Sequence, residues 1–204
     1  MKKHLTNKGS IIINSFMISI LLLMIIITTL TICVNEFYIV KSNENSIKAY
    51  YLAESGINET ISKINNELNK VIGRYLMKLK EDKMKYIQKI ISEKNEKPYR
   101  PLSLDQDLQN YLSSQLSLFN ETITNKEKPF SYTDHYSYTI KTSYSFQDNT
   151  IDILSTGVYN STKKIIHVYL LLPHIENDGV DMYDLPKIKV LPLRIERYYQ
   201  VFGQ

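Results

Sequence analysis

Residues 11–34, IIINSFMISILLLMIIITTLTICV, form 24 consecutive positions without a charge, a proline or a glycine. As a helix this run rises about 36 Å, more than the roughly 30 Å hydrocarbon core of a bilayer. It exceeds the apolar region of about 7–15 residues found in cleaved signal peptides. The residues after it, Asn35, Glu36, Phe37 and Tyr38, offer no small-residue cleavage site. The run therefore reads as an uncleaved, single-pass anchor in the lipid bilayer, residues 10–34. Lys2, Lys3 and Lys8 precede it with no acidic residue, whereas Lys41 and Lys48 after it are offset by Glu36 and Glu44. The excess of basic residues on the N-terminal side predicts a cytoplasmic N-terminus in the cell membrane and an extracytoplasmic C-terminal region.

Of 25 Lys and Arg, three lie in the leader, which leaves 22 against 21 Asp and Glu in the exported part. The sequence pI near 8.9 is thus a basic leader added to a nearly neutral body, and no nucleic-acid partner is expected. The single cysteine, Cys33, lies inside the apolar run, so no intramolecular disulfide can form and the exported domain must stand on packing. Sixteen tyrosines and no tryptophan suit half-buried strands and wet surfaces.

Beyond the anchor, Ile47, Tyr50, Ala53, Ile57, Ile61, Ile64, Leu68, Val71 and Tyr75 recur every three or four residues. This is the apolar stripe of an amphipathic helix, predicted over 35–75 as a continuation of the anchor. Gly56 is its weak point, costing about 1 kcal/mol against alanine. Residues 76–129 read as a helical insertion. Residues 76–94 are Lys-rich, with a rough apolar face of Leu76, Leu79, Met84, Ile87 and Ile91, and the pattern leaves open whether Gly73 interrupts the helix. Pro98 and Pro101 mark a linker. Ser103 and Gln106 offer a capping box for a helix whose face is Leu104, Leu108, Leu112, Gln115 and Phe119, and 120–129 reads as a loop.

From residue 130 the period changes to two. Tyr132–Phe146, Thr150–Tyr159 and Lys164–Leu172 are rich in Val, Ile, Thr and Tyr and predict three antiparallel strands, or four if Gly157 marks a bend. The stripe over 47–75 is the expected cover of their apolar face. After Pro173 the pattern is irregular, and Lys187–Val190 with Leu193–Phe202 either adds a short edge strand or wraps the domain. The expected fold class is α+β: a long N-terminal helix packed on a small C-terminal antiparallel sheet.

A basic leader ending in Gly9, an apolar helix starting at Ser10, an amphipathic continuation and a C-terminal sheet together resemble a type IV pilin-like protein. The likeness sharpens at KAYYLAESGINET, where Ala49, Ala53, Glu54, Ser55 and Gly56 are similar to the A-x-x-x-A-E-[AS]-G segment of PilX-type minor pilins. It covers about residues 8–62. It implies cleavage after Gly9 by a membrane prepilin peptidase, leaving Ser10 as the first mature residue. The implied partners are other pilin subunits and the pilus assembly machinery, reached by helix packing through Asn14, Ala53, Glu54, Ser55 and Gly56. The fifth mature position, Glu in the family's major subunits, is Asn14 here. Asn brings no charge to pair with a neighbour's amine, so the likeness is to minor, tip-type or atypical members, in a pilus or a related secretion filament. An unprocessed, membrane-anchored adhesin or sensor domain is the alternative.

Enzymatic residue patterns are missing from the sequence. His4, His135, His167 and His174 have no metal-ligand spacing and no G-x-S-x-G accompanies them; there is no P-loop or dinucleotide fingerprint. The sequence thus predicts no catalytic site, cofactor, metal or small-molecule substrate.

Overall fold

The computed structural model describes residues 5–93, 104–116, 122–125, 135–145, 147–183 and 185–201. The chain divides into two compact units, Met1–Asn45 and Ser46–Gln204. Helix α1, Leu5–Glu93, contributes to both. In the first unit its side chains from Ser10 through Val40 are exposed on every side, and this segment is long and apolar enough to cross a membrane. Thr29 and Thr31 return their hydroxyls to the carbonyls of Ile25 and Ile27 at 2.8 and 2.9 Å, so these polar groups are satisfied within the helix.

The second unit is α+β. Beside its share of α1 it holds α2 (Leu104–Leu116), β1 (Thr122–Asn125), β2 (Tyr136–Ser145), β3 (Thr150–Tyr159), β4 (Thr162–Leu171), β5 (His174–Val180), β6 (Pro186–Leu191) and β7 (Arg194–Val201). A five-stranded antiparallel sheet has the order β1-β2-β3-β4-β7, and β5-β6 form a separate two-stranded sheet. Gly73 does not interrupt α1: the helix passes the expected change at residue 75 and ends at Glu93.

The stripe and the sheet meet in one core. Ala49, Leu52, Ala53, Ile57, Ile64, Leu68, Val71 and Tyr75 of α1 are buried with Tyr138 and Ile140 of β2, Ile151, Ile153 and Tyr159 of β3, and Ile166, Val168 and Leu170 of β4. Period 3.6 on the helix and period 2 on the strands supply the two apolar faces. Ile47, first in the expected stripe, is instead 47% exposed. Leu108 and Leu112 of α2 join this core, and Tyr75 donates from its hydroxyl to the Leu104 carbonyl at 3.1 Å. Asp105 accepts from the Ile175 amide at 2.9 Å and ties α2 to β5.

Several expectations need correction. Gly157 neither bends nor splits β3, which pairs without a break with both neighbours over all ten residues. The loop expected at 120–129 contains β1, which lies inside the stretch read as a helical insertion. The tail after Pro173, read as an edge strand or a wrap, holds three strands. The turn after β3 is Asn160-Ser161, whose φ of 42° and 70° close a two-residue hairpin of the type that matches sheet twist. The linker 95–101, the cap at Ser103, Phe119 and the start of the first strand at 132–134 lie outside the described residues, as does the leader up to His4.

Candidate functional site

Gly9 and Ser10 lie within α1, which begins at Leu5 rather than at the anchor's edge. Asn14 is exposed on α1. These residues belong to the first unit.

The family-like segment sits in the second unit, and its small residues face the chain's own sheet. Ala49, Ala53 and Gly56 are buried, Glu54 is half-buried and Ser55 is exposed. A Cβ on Gly157 would lie 2.6 Å from the Ala53 amide nitrogen and closer still to the Ala49 carbonyl oxygen. A Cβ on Gly56 would lie 2.9 Å from Tyr138 Cδ2 and 3.0 Å from Ser155 Oγ. Two glycines and two alanines thus bring helix backbone onto β3. The helix glycine, costly in isolation, has a packing reason here.

Polar side chains frame this contact. The Lys48 ammonium donates to the Tyr159 hydroxyl at 3.1 Å and lies 4.8 Å from that ring's centroid. The Tyr138 hydroxyl donates to Glu59 at 2.5 Å, and Lys63 reaches the other carboxylate oxygen at the same distance. Those two partners, Lys63 foremost, hold the Glu59 carboxyl below its usual range. On β7, burial and a hydrogen bond to Tyr50 raise the Tyr198 hydroxyl's pKa well above its usual value, with Glu54 adding to the effect.

The opposite face of the sheet carries a second cluster. Asp152, His167 and Tyr169 alternate with core residues on β3 and β4, and Arg197 and Tyr199 of β7 lie on the same face. Register sets Asp152, Tyr169 and Arg197 in one cross-strand row, and Leu154, His167 and Tyr199 in the next. Tyr199 donates to His167 Nδ1 at 2.9 Å. The Asp152 carboxylate can only accept, so His167 Nε2 carries the hydrogen donated to Oδ1, and Nδ1 is the acceptor facing Tyr199. The hydroxyl of Tyr169 is held above its usual pKa, chiefly by its interaction with Tyr199, and the two rings stack with centroids 6.4 Å apart. The result is a hydrogen-bonded relay from Tyr199 to His167 to Asp152, with the Tyr169 ring beside it. The His167 ring centroid is 4.6 Å from that of Tyr169 and 5.3 Å from that of Tyr199, and Arg197 lies over Tyr169 at 5.8 Å.

His167 therefore meets a carboxylate and a phenol, a setting that neither metal-ligand spacing nor a serine motif in the sequence pointed to. The cluster spans three strands, and its sequence trace is confined to polar and aromatic residues at outward positions. Among the described residues no group of three or more His, Cys, Asp or Glu side chains is placed to hold a metal ion.

Helix, sheet and clusters define an α+β protein with one N-terminal helix long and apolar enough to cross a bilayer. No protein-family model, curated protein or solved structure matches the chain.

Proposed function

We propose that this chain is a structural subunit of the minor pilin or pseudopilin kind, held in the membrane by its first unit and assembled by helix packing against other subunits. In this reading the N-terminus is cytoplasmic, the sheet domain is extracytoplasmic, and the protein serves a type IV pilus or related secretion filament rather than a catalytic reaction. The observation that carries it is the succession along one helix, Leu5–Glu93, of Gly9-Ser10, a bilayer-length apolar segment and an amphipathic segment buried on an antiparallel sheet. Such a helix can exchange lipid contacts for van der Waals packing against similar helices.

Co-expression with a prepilin peptidase tests the proposal. N-terminal sequencing is expected to begin at Ser10, with the nine preceding residues removed. Gly9→Val is expected to block the cut. An unchanged N-terminus, or equal cleavage of the variant, refutes it.

A second reading is an unprocessed, membrane-anchored binding domain. Asn14 favours it, because an uncharged side chain at that place cannot form the opposite-charge contact of a bulk subunit. This reading expects Met1–Gly9 to persist and the protein to stay with the membrane when filaments are sheared away.

A further inference from the structure

We propose that the cluster Asp152, His167, Tyr169, Arg197 and Tyr199, on the sheet face opposite α1, is a binding site for a neutral oligosaccharide. The inference does not depend on the filament reading, since it uses only residues of β3, β4 and β7.

The site is pre-organised. The Tyr199 hydroxyl and the His167 imidazole hydrogen already have acceptors within the cluster, and the Tyr169 ring is packed against His167 and Tyr199, so the rings are held before a ligand arrives and little rotamer freedom is lost on binding. Two groups are left over. Asp152 uses one carboxylate oxygen on His167, and no hydrogen bond engages Oδ2 among the described residues. Arg197 makes no ion pair or hydrogen bond there, and its guanidinium rests on the Tyr169 ring. The exposed face thus offers one strong acceptor and a fork of donors beside aromatic rings. The Tyr199 residue is 43% exposed, and the Asp152 side chain is 35% exposed.

That set matches a sugar's adjacent hydroxyls. One hydroxyl donates to Asp152, its neighbour accepts from Arg197, and the apolar C–H face lies on the Tyr199 ring. Charge selects against the alternatives. An anion attracted by Arg197 is repelled by Asp152, and a cation attracted by Asp152 meets Arg197. A ligand without net charge keeps both hydrogen bonds. Half-buried Leu154 and Leu171 extend the surface along the strands and favour a chain of sugars over a single one.

The test uses the full chain in a detergent without a sugar headgroup. Saturation-transfer NMR and calorimetry are run with maltohexaose, cellohexaose and chitohexaose, and with a galacturonate hexamer as the acidic counterpart. Concentrations reach about 10 mM, which captures weak single-site binding. At least one neutral hexamer is expected to bind, with transfer strongest on ring C–H protons, and the acidic hexamer to bind at least tenfold more weakly. Arg197→Ala and Asp152→Asn are each expected to weaken binding about tenfold, with an unchanged far-ultraviolet spectrum. Tyr199→Ala is expected to abolish it; should that variant misfold, the exposed Arg197 carries the test alone. The proposal is overturned if no neutral hexamer binds, if Arg197→Ala binds as wild type does, or if the acidic hexamer binds more tightly.

Discussion

Replacing Gly157 with alanine adds one methyl group at the tightest point between helix and sheet. Two effects oppose each other. Alanine restricts the unfolded chain and favours folding by about 0.5–1 kcal/mol. Against that, the new carbon would sit 2.6 Å from the Ala53 nitrogen, whereas ordinary contact begins near 3.4 Å. The deficit is 3.4 less 2.6, or 0.8 Å, at that nitrogen and larger at the Ala49 carbonyl oxygen, and it falls on helix backbone. No side-chain rotation relieves it, so α1 must lift from β3 and loosen the packing of Leu52, Ile57 and Ile153. Overpacking of this kind costs typically about 1–3 kcal/mol, and a backbone obstruction belongs at the upper end. The net expectation is a loss of about 2 kcal/mol.

Gly73→Ala in the same helix is the internal control, because nothing lies within 4 Å of its added carbon. It is expected to gain about 1 kcal/mol of helix propensity. Urea unfolding of the full chain in micelles, followed by circular dichroism at 222 nm, measures both. Because the obstruction is main chain, Ala53→Gly is not expected to rescue Gly157→Ala. A Gly157→Ala protein as stable as wild type, or one restored by Ala53→Gly, refutes the close-approach argument.

Ser155 is fully buried beside Gly56, and its hydroxyl has no hydrogen-bond partner among the described residues. Ser155→Ala is therefore expected to leave stability unchanged or raise it by up to about 1 kcal/mol, read in the same urea titration; a loss above that size sinks the idea. Glu59 gives a pH dependence. Its folded pKa lies below the model-peptide value of 4.5, so its contribution is present above that value and fades as pH falls through the lowered one. The Glu59 side chain is 40% exposed, which limits the effect to under about 1 kcal/mol. Glu59→Gln should flatten the unfolding midpoint between about pH 5 and pH 3; an acid limb identical to wild type contradicts the assignment.

The parts of the fold governed by local periodicity were legible in the sequence. The stripe from Ala53 to Tyr75 is almost wholly buried as expected, and Thr150–Tyr159 is a strand with the expected limits. What escaped depends on pairing across distance. Thr122–Asn125 is too short to show alternation, and it becomes a strand because β2 offers it an edge. Arg194–Val201 crosses back to β4 over the intervening β5–β6 pair, a choice that no local pattern encodes. The oligosaccharide-site candidates follow the same rule. Asp152 and His167 are neighbours only through the β3–β4 register, and Tyr199 joins them only through the position of β7.

Gly56 deserves a different weighting from the one its sequence context suggests. In the family-like segment, small residues at 49, 53 and 56 read equally well as a surface for neighbouring helices or as clearance for the chain's own sheet. The structure places all three against β2 and β3, with Gly157 answering from the strand. Intradomain clearance is thus a sufficient reason for these residue types, and they carry little independent weight for filament assembly. Ser55 and Glu54, turned further outward, remain available to a neighbour. The filament proposal accordingly rests more on Gly9-Ser10 than on Ala53 and Gly56, and the identity of the mature N-terminus discriminates between the two readings more sharply than any substitution in the packed segment.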